Sequence, residues 1–191
     1  MGFLKCWLTS YFNPGRAFEN LKDKPIYWGI SGVLACWIGR SVLIIFPLYL
    51  LGYEPLTESW LAFLPTEHYY LAEIFFLPVL GLLQWLTAGS FMYLLLRFVK
   101  GIRDFDTVLN YTGMAALIVF PAGLLLDWVT ILSGGWNLMV LAITHSFLAL
   151  YGIFLGSVAL SRIFKLRLWL ALGFTILVTP LEILWGAIFS R

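Results

Sequence analysis

Five separate runs of apolar residues, each long enough to cross a bilayer as a helix, constrain this chain more than anything else in it. A hydrocarbon core of about 30 Å needs about 20 helical residues. The runs cover residues 26–51, 69–97, 108–132, 138–161 and 168–189. The fourth and fifth lie close together, and there Arg162, Lys165 and Arg167 interrupt the hydrophobicity and separate two helices. Apolar residues make up 61% of the 191 and charged residues 12%, against about 45–50% and about 25% in soluble domains. So few charges cannot cover the chain with a water-facing surface, and lipid is the solvent for most of it. The expected fold class is all-α, a polytopic membrane protein of five transmembrane helices.

The connections carry the orientation. Lys5, Arg16, Lys22 and Lys24 precede the first run, Arg97, Lys100 and Arg103 follow the second, and Arg162, Lys165 and Arg167 follow the fourth. The other two loops, about 52–68 and 133–137, have no Lys or Arg, and the first holds Glu54, Glu58 and Glu67. Ten of the twelve basic residues thus fall on one side of a five-span arrangement, Arg40 and Arg191 being the exceptions. Cytoplasmic loops retain Lys and Arg, so the N-terminus is expected inside and the C-terminus outside, in the cell or inner membrane. Four or six spans would put a basic cluster on the wrong side. A net charge of +2 is too small to imply nucleic acid as a partner.

Residues 1–25 read as an interfacial amphipathic segment ahead of a transmembrane domain at 26–191. Phe3, Leu4, Trp7, Leu8 and Tyr11 recur at helical spacing. Asn13-Pro14 then starts a second short helix, with Asn13 as its cap. The first long apolar run begins only near Ile26, too late for the apolar core of a cleavable signal peptide. Met1-Gly2 opens a myristoylation pattern, but Cys6 stands where Ser or Thr is preferred. Cys6 and Cys36 show no spacing that implies a disulfide or a metal site.

Within the spans, Pro47, Pro78, Pro121 and Pro180 each remove a backbone donor and kink a helix. The fourth span carries a stripe of small residues, Ala149, Gly152, Gly156 and Ala159, which admits another helix closely, from this chain or from a second copy. Each span also holds one ionisable residue: Arg40, Glu73, Asp127, His145 and Glu182. Counted from the outer helix ends, Glu73 and Asp127 lie about 6–8 Å deep, His145 and Glu182 about 10 Å, and Arg40 about 16 Å. Charges inside a bilayer are costly and demand partners, so Arg40 is expected to pair with Glu182 or Asp127. The set reads either as a structural polar network or as an outward-facing cavity for an ion, proton or small solute.

Enzyme motifs are largely missing. No HExxH, no paired Glu-Glu, no nucleophilic serine motif matched with a histidine and no phosphate-cradling glycine loop occurs. Glu67, His68 and Glu73 make at most a weak metal constellation, and a solvated loop accounts for them equally well. No cofactor, metal or catalytic residue is expected.

Two segments resemble a known family. Asn13-Pro14-Gly15-Arg16-Ala17-Phe18, just ahead of the first span, and the small-residue run from Tyr111 to Pro121 in the third are similar to the corresponding parts of the Yip domain. That is a family of Rab/Ypt-interacting membrane proteins with short prokaryotic relatives, and the likeness runs from about Asn13 to Ala187. It implies a five-helix architecture with a cytosolic N-terminus and a non-enzymatic scaffold, adaptor or trafficking role, with no functional residues to carry across. Expected partners are anionic lipid headgroups at the inner face, a cytosolic protein, and a second copy through the fourth span. The alternative is a small oligomeric transporter or channel built on the polar set. Reporter fusions check the topology: alkaline phosphatase at the C-terminus is expected active and a green fluorescent protein there dark, with both results reversed for fusions at Lys100.

Overall fold

A computed structural model describes residues 1–22, 24–57 and 63–189, with side chains described through Trp185. Asp23, Glu58 and Arg191 lie outside the described residues. The described elements are all helical: α1 (Phe3–Phe12), α2 (Pro14–Glu19), α3 (Tyr27–Arg40), α4 (Phe46–Leu50), α5 (Tyr69–Lys100), α6 (Phe105–Leu132), α7 (Leu138–Ile163) and α8 (Leu168–Phe189). A π-turn at Ser41–Ile45 joins α3 to α4, so the two form one span over Tyr27–Leu50. Five helices are long and apolar enough to cross a membrane.

Local chemistry sets the ends. Gly101, in the left-handed region at φ 67°, stops α5 and turns its N–H back to the Arg97 carbonyl at 2.9 Å. Asp104 then caps α6, accepting from the Thr107 N–H at 2.9 Å and the Thr107 hydroxyl at 2.6 Å. Both helices therefore run about a turn further than the apolar runs ending at Arg97 and beginning at Val108, because propagation stops at a cap and not where hydrophobicity fades. Asn137 caps α7 in the same way, through the Val140 N–H at 3.0 Å.

The spans form a closed ring in the order α3, α6, α7, α8, α5 and back to α3. Lipid provides no hydrophobic drive between helices, so close backbone approach and side-chain fit hold them. The closest approach is between α3 and α6. A Cβ on Gly32 would stand 2.6 Å from the Gly113 carbonyl oxygen, and one on Gly113 would overlap the Gly29 backbone. Buried Asn110 fastens the same junction: its side chain accepts from the Gly29 N–H at 2.8 Å and donates to the Lys24 carbonyl at 2.7 Å. One amide thus takes up the Lys24 carbonyl ahead of α3 and shares the Gly29 N–H with the Ile26 carbonyl. At this basic end α5 crosses against α6, where the Trp85 indole donates to the Leu109 carbonyl at 3.0 Å.

α1 and α2 fold back on each other, α1 against α6 and α2 against α7. Cys6, Ala17, Phe18 and Leu21 are buried in the main apolar core, and the Phe18 ring meets Tyr111 edge-on with centroids 6.1 Å apart. The opposite face of α1 leaves Leu4, Leu8 and Phe12 exposed. This hairpin also completes a span. Pro121 cannot donate to the Leu117 carbonyl four residues earlier, and the Trp7 indole donates to it instead at 3.3 Å. The Tyr11 hydroxyl reaches the neighbouring Ile118 carbonyl at 3.2 Å. Gly113→Ala is expected to destabilise the protein by about 1–3 kcal/mol or more through overpacking of α3 against α6, measured by reversible unfolding in mixed micelles. Gly173→Ala, whose Cβ would meet nothing within 4 Å, is the control expected to leave stability unchanged.

Candidate functional site

The ring encloses a cavity of about 360 Å³ that all five spans line. Its walls are mainly apolar, which matches the usual form of a small-molecule site. Four of the five ionisable residues singled out in the sequence face it: Arg40 from α3, Asp127 from α6, His145 from α7 and Glu182 from α8. Glu73 does not. It is fully buried in α5 among Tyr69, Tyr70 and Leu77, at the aromatic layer that joins α4, α5 and α6. It shares a helix face with Gln84, three turns further on, but lies more than two turns before Gly81, the first residue of α5 to line the cavity, so its place along the helix separates it from the site.

Asp127 is the centre of the charged group. Its side chain is only 2% exposed, with the Arg40 Nη2 3.7 Å from Oδ2 and the His145 Nε2 3.4 Å from Oδ1. The Arg40 side chain is 26% exposed and that of His145 34%, and both reach the carboxylate from the cavity they line. The expected Arg40–carboxylate pair is therefore with Asp127. His145 Nδ1 lies 3.0 Å from the Leu141 carbonyl and must carry a proton to donate there, which leaves Nε2 as the atom facing Asp127. Arg40 Nε, Asp127 Oδ1 and His145 Nε2 make no hydrogen bond within the described protein. Charge attraction joins Arg40 to Asp127, and the group retains hydrogen-bonding capacity.

The backbone explains how Arg40 comes to be there. It is the last α-helical residue before the π-turn, in which the Phe46 N–H bonds to the Ser41 carbonyl, five residues back. Such turns widen a helix and shift the face presented beyond them. Pro47 follows and leaves the Leu43 carbonyl without its usual donor, and the Trp128 indole supplies one at 3.0 Å. Trp128 stands next to Asp127 in sequence, so one stretch of α6 meets both the charge of α3 and its broken backbone.

The small-residue stripe of α7 faces inward. Ala149, Gly152 and Gly156 line the cavity, and Ala159 is buried in the core below it. A Cβ on Gly156 would stand 2.9 Å from the Tyr111 hydroxyl and 3.0 Å from Thr175, so this glycine makes room for polar groups of α6 and α8. Several lining residues have no distinct signature in the sequence: Cys36, Trp37, Gln84, Thr175 and Thr179. Gln84 is the most informative of them, since its Nε2 donates to the Glu182 carbonyl of neighbouring α8 at 2.9 Å. A lone Gln in a long apolar run was the available signal.

Glu67 and His68 pair at 3.7 Å on the surface before α5, far exposed, and among the described residues no three His, Cys, Asp or Glu side chains converge as a metal site would require. Cys6, outside the spans, donates its thiol proton to the Ala17 carbonyl at 3.2 Å, and burial pushes its pKa up from the ordinary thiol value. The chain is a multi-pass helical membrane protein with a polar-ended cavity inside its ring. No family model, curated protein or solved structure matches it. Arg40→Ala is expected to cost about 3–5 kcal/mol by leaving Asp127 buried beside a weaker partner. Arg40→Ala/Asp127→Asn is expected to recover part of that loss, and a double-mutant cycle on unfolding free energies measures it.

Proposed function

We propose that this protein is a non-enzymatic membrane protein that takes a small solute into the centre of its five-helix ring and serves its passage across or within the membrane. The observation that supports the reading is the coincidence of a cavity of about 360 Å³ with four ionisable side chains, one from each of four spans. A polar network whose only task was to order the bundle would be packed against its partners, because residual hydrogen-bonding capacity in a low-dielectric interior is costly. Here Arg40 and His145 keep open surface on the cavity.

A second reading has its own support. The scaffold or adaptor role implied by the Yip resemblance accords with the basic residues gathered at one end and with the exposed apolar face of α1, where Phe12 is 91% exposed. That face suits the interface of an anionic leaflet, and the hairpin would then be the contact for a cytosolic protein. Carried together, the two readings divide the molecule: solute inside the ring, lipid or protein at the basic face.

Native Cys36 lines the cavity and reports on its accessibility. In a Cys6→Ser background in lipid vesicles, a small water-soluble methanethiosulfonate is expected to modify Cys36 in the folded protein. Gly152→Phe, which adds a ring to the cavity wall, is expected to slow that reaction strongly. Cys36 that stays inert until the protein is denatured would sink the solute-binding reading.

A further inference from the structure

The charges around the cavity do not balance evenly. Asp127 lies between Arg40 and His145, whereas no basic side chain stands within ion-pair distance of Glu182 among the described residues. Glu182, an exposed residue, lines the cavity. A lone carboxylate inside a bilayer is costly, and binding a cation or a proton removes the charge.

The neighbouring polar groups favour the same sign. The Thr175 hydroxyl spends its proton on the Ala171 carbonyl at 3.0 Å, and the Thr179 hydroxyl on the Thr175 carbonyl at 2.9 Å. The Thr179 oxygen keeps lone pairs in the cavity it lines, while buried Thr175 also accepts from the Ser157 hydroxyl at 3.5 Å. Gln84 uses its NH₂ on the Glu182 carbonyl, which leaves Oε1 as an acceptor. This half thus offers acceptors in Glu182, Thr179 and Gln84, while the guanidinium of Arg40, which keeps N–H groups open, is drawn to Asp127 on the other side. The remaining wall includes Trp37, Trp85, Tyr111 and Phe120, whose ring faces attract cations. A bare metal ion would need several oxygen ligands converging at short range, and the space is much larger than such an ion.

We propose that the cavity takes an organic cation, an ammonium group on an apolar body, at Glu182, and that its arrival displaces a proton from that carboxyl to solvent. The proposal rests on the solute-binding reading. One positive charge enters as one leaves, so the site keeps its net charge. The other titratable groups facing this space are Cys36 and Arg40 from α3, Tyr111 and Asp127 from α6 and His145 from α7, while α5 contributes only the neutral amide of Gln84. Asp127 is already held by two partners, which singles out Glu182 as the exchanging group.

The test uses the full chain with Cys6→Ser in lipid nanodiscs and benzyltrimethylammonium as the probe. Neopentylbenzene, the same shape without charge, and benzylsulfonate, of opposite charge, are its controls. The ammonium is expected to protect Cys36 from alkylation, to bind more tightly as pH rises, and to release protons into weakly buffered solution. The two controls are expected to do none of these. Glu182→Gln is expected to weaken binding by at least about tenfold, the scale of one charge contact, and Glu182→Asp to retain most of it. An unchanged rate of Cys36 alkylation without ligand shows that each variant keeps its cavity. If the neutral compound or the anion protects Cys36 as well as the cation does, or if Glu182→Gln binds the cation unchanged, the proposal falls and the cavity reading stands. If Cys36 is inert in the folded protein, the cavity reading itself falls.

Discussion

Hydrocarbon offers no hydrogen bond to a peptide group, so each backbone carbonyl inside a membrane protein must find its donor in the protein. Helices meet this demand until a proline interrupts them. In this chain two of the interrupted places are repaired from a distance by tryptophan. The Trp7 indole serves the Leu117 carbonyl opposite Pro121, and the Trp128 indole serves the Leu43 carbonyl opposite Pro47. An indole suits the task because its single N–H donor sits on a large apolar body that packs in the same medium. The two repairs also tie the molecule together, one joining α1 to α6 and the other joining α6 to the span formed by α3 and α4. The N-terminal hairpin is therefore part of the bundle's hydrogen bonding as well as of its core.

Close packing on one side of the ring leaves room on the other. Gly29, Gly32 and Gly113 bring α3 and α6 almost into backbone contact, and Trp85 and Leu109 fill the space between α5 and α6 at the basic end. Across the ring, the small residues of α7 do not meet a partner helix so closely. A Cβ on Gly152 would come no nearer than 3.9 Å to Val119. The same residue type thus produces tight contact where two glycine faces oppose each other and open space where one faces side chains on a more distant helix. The cavity is the outcome of that difference.

The two ends of the bundle differ in chemistry. Lysines and arginines gather where α3 begins and α5 and α7 end, together with the hairpin and its exposed apolar face. The cavity's charged side chains lie nearer the other end, beneath the apolar layer that includes Tyr69 and Tyr70. Trp28 marks the boundary on the basic side: its ring lies 5.1 Å from the Lys24 ammonium and 5.5 Å from the ring of Phe3, as suits a residue between headgroups and core.

Hydropathy by itself determined the number of spans, and Asn13-Pro14 marked the start of α2, because bilayer thickness and capping act on a few consecutive residues. The identity of the ionisable residues within the spans was equally plain, and with it the expectation that Arg40 would meet a carboxylate. Which carboxylate was a matter of helical phase and neighbour order. Those depend on the α3–α6 glycine contact and on the π-turn after Arg40, and neither has a signature in a uniformly apolar run. The level of each helix against its neighbours was equally hidden, which grouped Glu73 with the other four, and unknown phase left open whether the α7 stripe faced a second molecule. Only the tertiary structure decided that Asp127 is the partner, that Glu73 belongs to another layer, and that the stripe bounds a cavity. Contacts between helices are set by which faces meet, and an apolar sequence in lipid leaves that choice to packing.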